Sequence, residues 1–128
     1  MTLDLVFLER TTETPSIVLD PTNGAVEITG NCYPENAFEF FEPVRTWIEQ
    51  YFSTSASNLA VRLNLNYINT ASSKFLRELM ILLNSYYEQE KTIRVEWLYD
   101  EDDEDMEDLG KTFSLEFEMP IVVKATAS

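Results

Sequence analysis

The chain has 128 residues, enough for one hydrophobic core at a size where roughly two-thirds of the unfolded surface is buried, so 1–128 is expected to form a single domain. A hydrophobic share of 45% with 12% aromatic residues and 3 glycines is that of a packed protein and not of a disordered tail. The net charge of -14 excludes nucleic-acid phosphates and anionic membrane surfaces as partners, and the absence of histidine removes the commonest general base and the usual zinc ligand.

Residues 1–13 form an N-terminal segment to which the pattern assigns no element. Ser16 to Leu19 and Ala25 to Thr29 are β-prone runs joined by the turn residues Asp20, Pro21, Thr22, Asn23 and Gly24, which predicts an antiparallel hairpin. After Tyr33 and Pro34, apolar residues recur at three- and four-residue spacing: Phe38, Phe41, Val44 or Arg45, Ile48 and Phe52. That spacing predicts an amphipathic helix whose aromatic residues face the core, with Pro43 kinking or dividing it. Tyr33, Pro34, Glu35 and Asn36 read as the turn into this helix.

A polar loop, Ser53 to Asn58, precedes the alternation of Val61, Leu63, Leu65 and Tyr67 with polar residues, the period of a strand with one buried face. Phe75 to Tyr87 carries a wide helical stripe, and Thr92 to Tyr99 returns to strand character. Met106, Leu109, Phe113 and Phe117 are helix-spaced, Pro120 ends that element, and Ile121 to Lys124 makes a last short strand. The order β, β, α, β, α, β, α, β implies an α/β fold, with parallel strands and right-handed helical crossovers in its second half. Four or five strands in a mixed sheet with about three helices are expected.

Nine of the 23 acids lie between Glu96 and Asp108, with no basic residue among them. The stretch Asp100 to Asp108 lacks the glycine and ligand alternation of an EF-hand loop, which leaves a solvated helix start, where acids favour the positive dipole end, ahead of a docking patch for basic partners and of metal binding. Cys32 is the single cysteine, so no internal disulfide forms; with no basic-then-apolar leader and no apolar run of bilayer length, the cytoplasm is the expected compartment. Without a histidine to activate it, Cys32 reads as a small buried residue.

The hydroxyl cluster Asn69, Thr70, Ala71, Ser72, Ser73 and Lys74 lies where a strand gives way to a helix. Thr70 carries two compatible readings. As a cap, its hydroxyl accepts from the Ser72 or Ser73 backbone N–H and contributes about 1 kcal/mol. As a modification site, a phosphoryl group there adds roughly two negative charges at a helix end that tolerates anions, near Lys74 and Arg77. The competing readings are a small enzyme pairing Glu35 with an acid of the Asp100 to Asp108 stretch, and a constitutive assembly module acting through an exposed edge strand.

Three stretches in order, Tyr33 to Phe41 (YPENAFEFF), Tyr67 to Lys74 (YINTASSK) and Trp97 to Gly110 (WLYDEDDEDMEDLG), resemble the SiaC family of bacterial regulatory phosphoproteins, and the likeness extends from Ser16 to Val123. The family is similar in fold to STAS domains, the anti-sigma-factor antagonists. The resemblance implies a non-enzymatic switch without cofactor or metal. In such a switch a partner kinase phosphorylates a threonine in an Asn-Thr-Ser-Ser motif, a PP2C-type phosphatase reverses it, and the unmodified form binds a target, a diguanylate cyclase in the best-understood system. By position that threonine is Thr70. Ala71 stands where the family often has serine, so Ser72 is the substitute acceptor and Ser73 the third. The implied partner surface comprises Asn69, Thr70, Ser72, Ser73, Lys74 and Arg77 with Tyr33, Glu35 and Asn36.

Overall fold

The computed structural model describes residues 3–126. In chain order the elements are β1 (Val6–Leu8), β2 (Ser16–Asp20), β3 (Ala25–Cys32), α1 (Ala37–Phe52), β4 (Asn58–Ile68), α2 (Thr70–Glu88), β5 (Thr92–Asp100), α3 (Glu104–Glu116) and β6 (Ile121–Thr126). They build one six-stranded sheet in the order β1-β2-β3-β4-β5-β6, antiparallel from β1 to β3 and parallel from β3 to β6. The expected mixed sheet with three helices is the one observed, but with six strands in place of four or five. The additional strand is β1, whose three residues offer too little pattern to be read as a strand in isolation.

Strands laid down consecutively and joined by right-handed crossovers receive their helices on one face. Ile17 and Leu19 of β2, Val26 and Ile28 of β3, Leu59, Val61, Leu63 and Leu65 of β4, and Ile93, Val95 and Trp97 of β5 point to that face and are buried. The helices close the core with Phe41, Val44 and Ile48 from α1, Leu76, Leu79, Met80 and Leu83 from α2, and Phe113 from α3. Stacked rings join α1 to α2 at both ends, Phe41 on Phe75 with centroids 4.2 Å apart and Phe52 on Tyr86 at 4.3 Å. Among the described residues the opposite face of the sheet carries no helix. Its central row is Glu27, Arg62 and Glu96, with Arg62 3.6 Å from Glu27 and 3.5 Å from Glu96.

Three expectations need correction. Pro43 does not divide its segment: α1 runs unbroken from Ala37 to Phe52, because Pro43 faces solvent, where water can satisfy the carbonyl it leaves without a donor. Phe38 is not core but 71% exposed, since the stripe that meets the sheet is Phe41, Val44, Ile48 and Phe52. Tyr67 is 67% exposed although it continues the alternation of Val61, Leu63 and Leu65, because β4 runs on past the helical cover.

The acidic stretch is the start of α3. Asp103 caps it, its Oδ1 accepting from the Met106 N–H at 3.1 Å, and Glu104, Asp105 and Glu107 occupy the first turn, where the helix dipole favours negative charge. Trp97 fixes this helix on the sheet: its Nε1–H donates to the Met106 carbonyl at 2.9 Å, and its ring leaves no room for a side chain at Gly110, where a Cβ would collide with Trp97 Cδ1. Gly110→Ala is therefore expected to cost about 1–3 kcal/mol by overpacking, read as a lower urea midpoint with unchanged slope; an unchanged midpoint would show that α3 shifts freely on Trp97.

Candidate functional site

The three parallel crossovers start their helices at the same end of the sheet, the carboxyl end of β3, β4 and β5. Here the turn from Tyr33 to Asn36, the β4–α2 junction at Asn69 and the turn from Glu101 to Asp103 lie side by side. Asn69 organises this end. Its backbone N–H donates to the Cys32 carbonyl at 3.2 Å, its Nδ2–H donates to the Pro34 carbonyl at 3.2 Å, and its Oδ1 accepts from the Ser72 N–H at 2.9 Å. One side chain thus caps α2 and ties it to the end of β3 and the entry to α1.

The cap expected of Thr70 therefore belongs to Asn69, and Thr70 is the first residue of α2. Both ends of the Asn69 amide are engaged, which leaves the Thr70 hydroxyl uncommitted in an exposed position. Ala71 is exposed and carries no hydroxyl. Ser72 is fully buried, so its ranking as the substitute acceptor is corrected: a kinase would have to unwind the first turn of α2 to reach it. Ser73 is half-buried.

Ser72 Oγ meets no partner at hydrogen-bonding geometry among the described residues and lies beside the Cys32 thiol. Burial pushes that thiol up to about 11, against the opposing influence of the Ser72 hydroxyl. A thiol with this pKa is protonated and unreactive at neutral pH.

From Thr70 a shallow open groove runs between α2 and α3, with Thr70, Lys74 and Arg77 on one wall and Leu109, Thr112 and Phe113 on the other. Arg77 Nη1 donates to Glu116 Oε1 at 2.8 Å, so its charge is partly engaged by α3, whereas Lys74 pairs with no carboxylate among the described residues. Glu35 and Asn36 are exposed at the entry to α1, where Asn36 caps the helix through the Glu39 N–H at 3.1 Å; Tyr33 is half-buried, its N–H donating to the Glu13 carbonyl at 2.8 Å. The structure thus brings the two segments named from sequence to one end of the sheet and adds exposed Phe38 and Tyr67 to it. Tyr67, Asn66, Asp100, Asp102 and Asp103 share an open concavity. Nothing in a period-two or helical pattern marks Phe38 and Tyr67 as surface residues.

Glu35 follows β3 and the acidic stretch follows β5, with β4 between them, and the concavity that holds Asp100, Asp102 and Asp103 does not include Glu35. A more enclosed concavity lies elsewhere, on the bare face over Ala25 and Ala60, where Glu27 and Glu96 are drawn to Arg62.

The family model described as SiaC family regulatory phosphoprotein matches residues 8–126. The chain belongs to the SiaC family. An uncharacterised protein of Pseudomonas aeruginosa strain UCBPP-PA14 is 30% identical over 115 residues, covering 90% of this chain and 91% of that protein. Among solved structures, apo-SiaC from Pseudomonas aeruginosa superposes with a TM-score of 0.89 at 27% identity, covering 95% of this chain and 99% of its own. SiaC in complex with the diguanylate cyclase SiaD, of which it is the activator, superposes with a TM-score of 0.90 at 28% identity, covering 94% and 99%. As a SiaC family member this chain is a regulatory phosphoprotein of mixed α/β fold, and among its described residues no helix is long and apolar enough to cross a membrane.

Two stability measurements separate the roles at this helix start. Asn69→Ala should destabilise by about 0.5–2 kcal/mol through loss of the cap, whereas Ser72→Ala, which removes a buried hydroxyl that has no partner, should be neutral or stabilising; an equal loss in both would contradict the assignment of the cap. The Cys32 pKa is raised on folding, so its contribution is fully present below about 9 and is lost as pH rises toward about 11. Denaturation across that range should show a smaller alkaline loss in Cys32→Ala than in the unsubstituted chain.

Proposed function

We propose that this chain is the phosphorylation-controlled binding component of a partner-switching pathway in the cytoplasm. A kinase modifies Thr70, a PP2C-type phosphatase restores it, and the unmodified form binds and activates a diguanylate cyclase. It catalyses no reaction itself. The observation that carries this reading is the position of Thr70: an exposed, uncommitted hydroxyl at the first position of a 19-residue helix, followed by the hydroxyl-free Ala71 and the buried Ser72. The complex of SiaC with SiaD supports the choice of target.

The partner surface consists of Asn69, Thr70, Ser73, Lys74 and Arg77 along the start of α2, with Tyr33, Glu35 and Asn36 beside them. Ser72 contributes to it only by seating the helix. Phe38 and Tyr67 extend the surface with two aromatic rings, residues of the kind that anchor protein interfaces. A phosphate on Thr70 is tolerated in the free protein, because the first turn of α2 offers backbone N–H groups and Lys74 stands one turn away. In the complex the same group is a charge to be stripped of water with no partner cation arranged for it, and binding is lost.

The test is binding of a purified SiaD-type cyclase, by calorimetry, to four forms: unmodified, enzymatically phosphorylated, Thr70→Asp and Tyr67→Ala. The phosphorylated form and Thr70→Asp are expected to bind at least tenfold more weakly, about 1.4 kcal/mol, and Tyr67→Ala more weakly still without a change in melting temperature. Equal affinity of phosphorylated and unmodified protein would sink the switch, and the absence of any phosphate on Thr70 in protein from its own cells, by intact-mass analysis against Thr70→Ala, would remove its premise.

A further inference from the structure

The two edges of the sheet differ in chemistry. At one edge, Leu5, Val6, Phe7 and Leu8 present four apolar side chains in succession, in a chain of which 25% of residues are charged. Leu5 is 64% exposed, Phe7 61% and Leu8 39%. This is not a loose tail: β1 is registered on β2 through Val6 with Leu19, Phe7 with Val18 and Leu8 with Ile17. Val6 packs against the core, and Trp47 Nε1–H donates to the Asp4 carbonyl at 3.3 Å. The fold therefore holds an apolar strand in place with its outer side unpaired by any strand among the described residues, the arrangement that recruits another strand.

We propose that β1 is a self-association edge, through which two copies of this chain pair antiparallel about a two-fold axis and join their sheets edge to edge. Three observations select a second copy as the occupant. A short strand without charges is complementary to its own antiparallel image. Phe7 lies on the bare face beside Val18, and Leu5, two residues earlier, falls on the same side, so the Leu5, Phe7 and Val18 side chains of both copies form one apolar cluster across the axis. The third is charge. β5, which leads into the acidic stretch, is four strands from β1, about 19 Å, beyond the screening length of about 8 Å at physiological salt. Pairing through β6, beside β5 and α3, would instead bring two such stretches together, and pairing of β1 on β6 would run on into an open filament where the two-fold contact closes.

The proposal stands on the sheet edge and not on the phosphorylation of Thr70, and the experiment keeps them apart. Sedimentation velocity of the full chain over a range of concentrations is expected to give twice the chain mass. The double substitution Leu5→Lys with Phe7→Lys should give the single mass with an unchanged far-ultraviolet spectrum, and Leu5→Thr with Phe7→Thr, which keeps strand propensity, provides a second variant should the first fail to fold. Thr70→Asp and Val122→Lys, the latter on the opposite edge, should remain dimeric. A single mass for the unsubstituted chain at every concentration, a dimer that survives both β1 variants, or one broken by Val122→Lys would each overturn the proposal. So would a monomer that binds the cyclase only when Leu5 and Phe7 are present, which would assign the edge to the target's own strand.

Discussion

Each helix in this chain returns it to a strand lying parallel to the one just completed, and that constraint governs the rest. Consecutive right-handed crossovers place α1, α2 and α3 on a single face, which must then be the apolar one. They also begin every helix at the same end of the sheet, so three positive dipole ends and their connecting turns are gathered together. The alternation of β4 follows from this: Val61, Leu63 and Leu65 are buried under helices, while Arg62 spans Glu27 and Glu96 on the side left to water.

At that end Asn69 joins local and tertiary structure. A cap on α2 alone could be made by any small polar residue; Asn69 also holds the Pro34 carbonyl with the other half of its amide and the Cys32 carbonyl with its backbone. The first turn of α2 is thereby set in place relative to the turn that opens α1. The hydroxyl that follows needs no structural duty, and a charge added to it changes the surface without dismantling the fold. The buried Ser72 beside Cys32 carries the opposite balance, a polar atom given to packing and not to exposure.

The long elements were legible because their periods are unambiguous. Phe75 to Tyr87 marked α2, Val61 to Leu65 marked β4, and the β–α alternation gave the parallel half of the sheet. The junction from Asn69 to Lys74 was also legible as a hydroxyl-bearing helix start, and the resemblance singled out Thr70 within it. What escaped were features decided by the neighbours of a residue. Two adjacent polar side chains both suit a cap, and only the Pro34 carbonyl within reach of Asn69 decides between them. Ser72 and Ser73 are equivalent in sequence until α2 is docked, when one turns inward. Phe38 and Tyr67 satisfy the apolar pattern but lie where the opposing layer has ended. β1 is too short for any period, and its pairing with β2 is what makes it a strand.

Within the stretch from Asn69 to Lys74, position 71 has no hydroxyl, position 72 is enclosed and position 73 is half-covered. A switch built there has very few states to count. Where a row of open serines would record successive additions as graded charge, this helix start presents one exposed hydroxyl, and under the proposed switch each copy of the chain would report a single yes or no.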